Sequence, residues 1–124
     1  LRLNLLQTKI SAYGLKFEDG VFLKNRSAEA PDYYVFNGEE IDGSDSGTFQ
    51  EKENINLISM VLPQNGQKNT LRSFEEMLAL ARNLSTSFDM RLLDEHFNGM
   101  SEQTITDYKE RATNLDLKLS SYGS

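Results

Sequence analysis

The stretch from Ile55 to Ala112 constrains this chain most. Ile55-Asn56-Leu57-Ile58-Ser59-Met60-Val61-Leu62 is mostly apolar, as expected of a central strand covered on both faces. Pro63–Gly66 ends it. Leu71, Phe74, Met77, Leu78, Ala81 and Leu84 then fall on one face of a helix over 70–85, with Arg72, Glu75, Glu76 and Arg82 on the other. Asn69 or Thr70 can cap that helix. Met90–Leu93 predicts a short strand. Ser101 caps a further helix over 101–113, with Glu102 at the positive end of its dipole. Met100 and Ile105 are spaced as a hydrophobic staple, and Ile105, Tyr108, Ala112 and Leu115 continue the buried stripe. The segment holds neither a catalytic dyad nor a metal-ligand spacing. It points toward a surface that binds, not a pocket that reacts.

Ahead of it, Leu3, Leu6, Ile10 and Tyr13 repeat at helical spacing, and Gly14 stands where a helix C-terminal glycine belongs. This predicts a short helix over 3–13. Leu15–Lys24 alternates imperfectly and predicts one strand interrupted at Asp19-Gly20, where a glycine suggests a bulge or a close backbone approach. Asn25–Asp32 is a polar loop containing Pro31. Tyr33–Asn37, aromatic and β-branched, predicts a strand. Gly38–Gly47 is acidic and glycine-rich, with Ile41 its only apolar residue. The order of elements indicates an α+β sandwich, an antiparallel sheet with three helices on one face. At 124 residues the chain is expected to form one domain with a core that needs no staples.

Charge and composition exclude several functions. A net charge of -6 argues against general nucleic-acid binding, which needs a cationic face for phosphates. It suits a partner segment carrying some positive charge, through electrostatic steering. Without cysteine, disulfides and thiolate chemistry cannot be invoked. No apolar stretch approaches the roughly 18 to 20 residues of a membrane span. The chain begins at Leu1 with no signal-like segment, which suggests a piece of something longer.

Two constellations resemble chemistry. Asp94-Glu95-His96 contains the only histidine, which rules out paired-imidazole and His-His metal sites. Three consecutive residues do not share a face on a strand, and no nucleophile-elbow pattern supports a triad. A surface turn is the simpler account. Asp42–Glu53 reads as a degenerate EF-hand loop, with Asp42 at position one, Gly47 at six and Glu53 at twelve. Ser44 and Ser46 replace carboxylates, and the flanks read as strands where helices are required. A solvated turn is expected there, and no cofactor or metal.

A sheet covered on one side leaves its other face in water unless a partner covers it. Core packing is the default for Phe17, Leu23, Tyr34 and Phe36. An open face carrying Phe22, Ile41, Leu57 and Val61 would be an exposed apolar patch of the kind that marks interaction sites.

A resemblance sharpens this. Gly14-Leu15-Lys16-Phe17-Glu18-Asp19, Gly47-Thr48-Phe49, Leu62-Pro63, the helical set Phe74, Met77, Leu78 and Ala81, Leu93-Asp94, and Met100-Ser101 through Tyr108 are collinear with one family. Together they resemble the C-terminal, FtsZ-binding domain of the bacterial cell-division protein ZipA. The resemblance implies a split β-α-β sheet with three helices on one face and a shallow apolar groove on the other. That groove takes the C-terminal tail of FtsZ. It further implies a non-enzymatic, monomeric adaptor domain at the cytoplasmic face of the inner membrane, at the division septum. The anchor and flexible linker would lie outside these residues. Carried onto this sequence, the groove residues are Gly20, Phe22, Lys24, Ile41, Leu57, Ser59 and Val61.

The departures are specific. Gly20 and Ser59 stand where the family often shows Met and Phe, and the acidic residues Glu39, Glu40 and Asp42 replace a Lys. A two-residue insertion precedes Gly47, and the family's apolar strand ahead of the first helix has no counterpart among these residues. The alternative function is a small interaction domain using the calcium-like loop at 42–53.

Overall fold

The computed structural model describes residues 1–24, 32–38, 48–49, 54–63, 70–111 and 116–120. Three helices and six strands run in the order α1 (Leu3–Ser11), β1 (Lys16–Glu18), β2 (Val21–Lys24), β3 (Tyr33–Asn37), β4 (Leu57–Val61), α2 (Thr70–Phe88), β5 (Arg91–Leu93), α3 (Glu102–Arg111) and β6 (Asp116–Ser120). The strands form one antiparallel sheet in the order β1-β2-β3-β4-β6-β5. The expected α+β class is borne out.

The helices form where apolar residues recur every three or four positions. In α1, Leu3, Leu6 and Ile10 are buried, and the chain leaves the helix through tight turns from Tyr13 N–H to Ile10 C=O and from Gly14 N–H to Ser11 C=O. In α2 the buried face is Phe74, Met77, Leu78, Leu80, Ala81 and Leu84. Leu71, expected on that face, is exposed. α3 starts as its cap residue dictates: Thr104 N–H donates to Ser101 Oγ at 3.1 Å. It buries Ile105 and Tyr108. Asn69, Ala112 and Leu115 lie outside the described residues.

All three helical stripes share one core with one face of the sheet. Phe22, Val35, Met60 and Leu117 stand in register across four strands, and each is fully buried. Ile58 and Leu119 form the next buried pair. α2 lies against β3, β5 and β6.

Two sequence expectations change here. Leu15–Lys24 is not one interrupted strand but a hairpin. Asp19 (φ 52°) and Gly20 (φ 84°) are both left-handed, the conformation a two-residue hairpin turn demands. Phe17 therefore pairs with Phe22, their rings 4.7 Å apart, and Phe49 adds a third ring 5.6 Å from Phe22. The expectation of Phe22 on an open face fails, because its ring belongs to the core. The second change is β6. The residue pattern assigns no element beyond the third helix, yet 116–120 is a strand, and it lies inside the sheet, between β4 and β5.

The hairpin makes a prediction. A Cβ at Gly20 would lie 2.8 Å from Thr48 Cβ on a backbone that L residues rarely adopt. Gly20→Ala should destabilise the domain by about 1–3 kcal/mol in urea unfolding. Truncating Phe22, at 0% exposure, should be costlier. Phe22→Ala is expected to lose about 3–5 kcal/mol and more than about 10 °C of melting temperature. A Phe22→Ala protein melting like wild type would contradict this core.

Candidate functional site

The side chains that alternate away from the helices make the sheet's second face. Leu23, Tyr34 and Val61 stand in register on β2, β3 and β4. Phe36, Ser59, Lys118 and Leu93 form the next row, across β3, β4, β6 and β5. Leu57, Ser120 and Arg91 follow. Val21, Leu23, Tyr34, Phe36, Leu57 and Val61 are all partly exposed, in contrast to the fully buried row beneath them. The Tyr34 and Phe36 rings stack at 5.5 Å. Across β2, β3 and β4 this face is largely apolar and presents two stacked aromatic rings. A protein surface of that kind binds by covering apolar area.

The expected site residues divide. Leu57, Ser59 and Val61 lie together on this face. Phe22 and Lys24 lie on the other one. Lys24 pairs with buried Tyr33 and its Nζ donates to Tyr13 C=O at 2.7 Å. It borders a recess of about 220 Å³ with Tyr13, Tyr33, Glu76 and Ala79. Gly20 sits at the hairpin turn, against Thr48. Ile41 lies outside the described residues. Sequence reasoning also placed Leu23, Tyr34 and Phe36 in the core, where the structure puts them on the second face. The missed signal was Asp19-Gly20: two turn residues between apolar runs fix which residues pair, and so which face each takes.

At the centre of the face is a polar pair. Lys118 Nζ donates to Ser59 Oγ at 2.8 Å, and Ser59 is only 6% exposed. The same ammonium lies 5.6 Å from the centroid of the Phe97 ring, a cation–π arrangement.

Phe97 comes from the Asp94–His96 cluster, whose chemistry is structural. Asp94 Oδ1 accepts the N–H groups of His96 and Asn98, each at 2.9 Å. Asp94 and Asn98 also bond through their backbones, and Phe97 N–H donates to Asp94 C=O. Tyr108 Oη accepts Glu95 N–H at 2.8 Å, and burial raises the Tyr108 pKa. The His96 side chain is exposed and reaches Glu95 Oε1 at 3.7 Å. The cluster is thus a tight surface turn, as expected. Its product is Phe97, held at φ 65° with 56% of its surface exposed. An aromatic residue in that conformation costs on the order of 1–3 kcal/mol.

Among the described residues, no group of His, Asp and Glu is placed to hold a metal, and no helix is long and apolar enough to cross a membrane. The Asp42–Glu53 loop falls mostly outside the described residues, with Thr48 and Phe49 its described members.

No curated protein matches the chain. The family model described as ZipA, C-terminal FtsZ-binding domain, matches residues 4–111, a span that takes in α1 from its second residue, α2, α3 and five of the six strands, β6 excepted. That family consists of binding domains, not enzymes, and its partner is FtsZ, in cell division. With the helix-backed sheet and its apolar second face, the match shows that this chain belongs to the ZipA C-terminal FtsZ-binding domain family.

Proposed function

We propose that residues 1–124 form a single ZipA-like adaptor domain whose second sheet face receives the C-terminal tail of FtsZ, and that the whole protein thereby holds the division ring at the inner membrane. The observation that carries the reading is the partly exposed apolar face of Leu23, Tyr34, Phe36, Leu57 and Val61 in a chain of an FtsZ-binding family. β6 closes the gap that the matched segment leaves between β4 and β5, so this face is continuous across the sheet.

The mechanism is burial without chemistry. An amphipathic segment laid across the strands covers the Tyr34–Phe36 stack and the aliphatic residues beside it. Each apolar Å² removed from water contributes about 25 cal/mol, and most of that gain is offset by the cost of association and ordering. A shallow face with a few anchors therefore gives about −7 kcal/mol, a micromolar-class dissociation constant.

Titration of the domain with a synthetic FtsZ tail peptide tests this. Val61→Glu and Phe36→Ala should each weaken binding about tenfold or more, with melting temperatures close to wild type. If both bind the peptide as wild type does, the tail docks elsewhere.

The alternative, an interaction domain regulated through the 42–53 loop, separates by a thermal melt in millimolar calcium against chelator. An occupied site would add about 2.7 kcal/mol at a hundredfold excess over its dissociation constant, several degrees for a domain of this size. No shift is expected, since Ser44 and Ser46 remove two ligand charges. A shift abolished by Glu53→Gln would favour that alternative.

A further inference from the structure

Arg91 opens β5, the outermost strand on its side of the sheet, and ends the row Leu57–Ser120–Arg91 on the second face. Its side chain is exposed. Among the described residues, no carboxylate comes within ion-pairing distance of its guanidinium. Asp94, three residues on, holds the N–H groups of His96 and Asn98 instead. A charged residue on an outermost strand commonly keeps an open edge from pairing with another chain. That task is already done here, because the outer edge of β5 is closed by its own chain. Gly99 bridges Leu93, Met100 N–H donates to Leu92 C=O at 3.0 Å, and Asp94 N–H donates to Asn98 C=O at 2.8 Å. The closing segment also leaves room at the guanidinium. Gly99 carries no side chain, and a Cβ there would lie 3.9 Å from Arg91 Nη2. Leu93, on the same face of the strand, is buried. The cation thus stands at the border of an apolar floor, with its charge turned to no residue of the fold.

Resting on the FtsZ-tail reading above, we propose that Arg91 is a specificity-determining residue of the docking face: its guanidinium pairs with a side-chain carboxylate of the FtsZ tail where the tail passes over β5. Charge complementarity commits the occupant to an acidic residue at this point. A guanidinium offers a carboxylate two parallel N–H bonds, a planar match that an ammonium cannot make. Position sets where the acid lies. Two strand intervals, about 10 Å, separate Arg91 from Leu57 along the row, so the acidic residue flanks the tail's apolar anchors and does not interrupt them. The domain's net charge of -6 does not oppose this, because salt screens charges more than about 10 Å apart. An exposed pair adds little affinity. Its effect is to fix the register in which the tail lies across the strands.

The experiment is a coupling measurement. The wild-type domain, Arg91→Gln and Arg91→Lys are titrated with the FtsZ tail peptide and with versions in which each side-chain carboxylate in turn is replaced by its amide. A further version carries an amide at the chain end. One side-chain amide should bind wild type about threefold more weakly than the parent. That difference should vanish in Arg91→Gln, be reduced in Arg91→Lys and shrink at high salt. Melting temperatures should match wild type, since Arg91 is exposed. If Arg91→Gln retains every wild-type difference, or if no side-chain amide differs from the parent, the assignment is overturned. It is overturned equally if the chain-end amide alone responds to Arg91, which would make the guanidinium a clamp for the terminus. These failures leave the docking face intact when Val61→Glu still weakens binding. A folded wild-type domain that binds no tail peptide would instead remove the functional reading and this inference together.

Discussion

The fold depends on β6 filling the space between β4 and β5. Both neighbours pair with it antiparallel, so they run parallel to each other and share no ladder of their own. Removing β6 would leave two unsatisfied strand edges in the middle of the molecule, where unpaired N–H and C=O groups are costly. It would also empty part of the core, since Leu117 and Leu119 are wholly buried. The same strand sends Lys118 to the other side. One five-residue segment thus completes the hydrophobic layer and sets the polarity of the surface opposite it.

Much of this was legible from residue pattern alone, and the failures have definite causes. Long-period signals survived. The stripes of α1 and α2, the Ser101 cap of α3 and the aromatic strand Tyr33–Asn37 all stand within a few residues of where spacing put them. Strand parity did not survive, because it is a property of pairing and not of the strand. A two-residue turn at Asp19-Gly20 reverses the chain and sets Phe22 opposite Phe17, whereas a strand alternating without a break would have set it on the opposite face. That single difference moved Phe22 into the core and brought Leu23, Tyr34 and Phe36 out of it. β6 was missed for another reason. Asp116-Leu117-Lys118-Leu119-Ser120 does alternate, but five residues after a helix carry too little periodicity to outweigh the helical stripe running into them. Only the sheet context identifies the segment as a strand.

The placement of polar groups shows what the Asp94–His96 cluster does. The residues that looked reactive are engaged in holding backbone. Asp94 accepts two N–H groups, Tyr108 accepts a third from Glu95, and His96 projects into solvent. These contacts convert a sequence rich in titratable groups into a rigid corner. What the corner displays is a ring. Rigid aromatics lose little conformational entropy when covered, which is why they serve as anchors in recognition surfaces.

The position of β6 has a consequence for how the chain comes to be folded. Its cross-strand partners lie far back in the sequence, with Ser59 and Lys118 separated by 59 residues, while β1 to β4 neighbour one another in order. The first four strands can zip up one after another, but the strand that joins them to β5 emerges from the ribosome after everything it must bridge. Non-local pairing of this kind is slow, because the loop entropy is spent before any contact repays it. Until β6 docks, the edge of β4 faces outward with its buried row half covered. A neighbouring nascent chain offers the same complementary strand. Crowded synthesis therefore favours exchange of β6 between chains wherever intramolecular closure is slow.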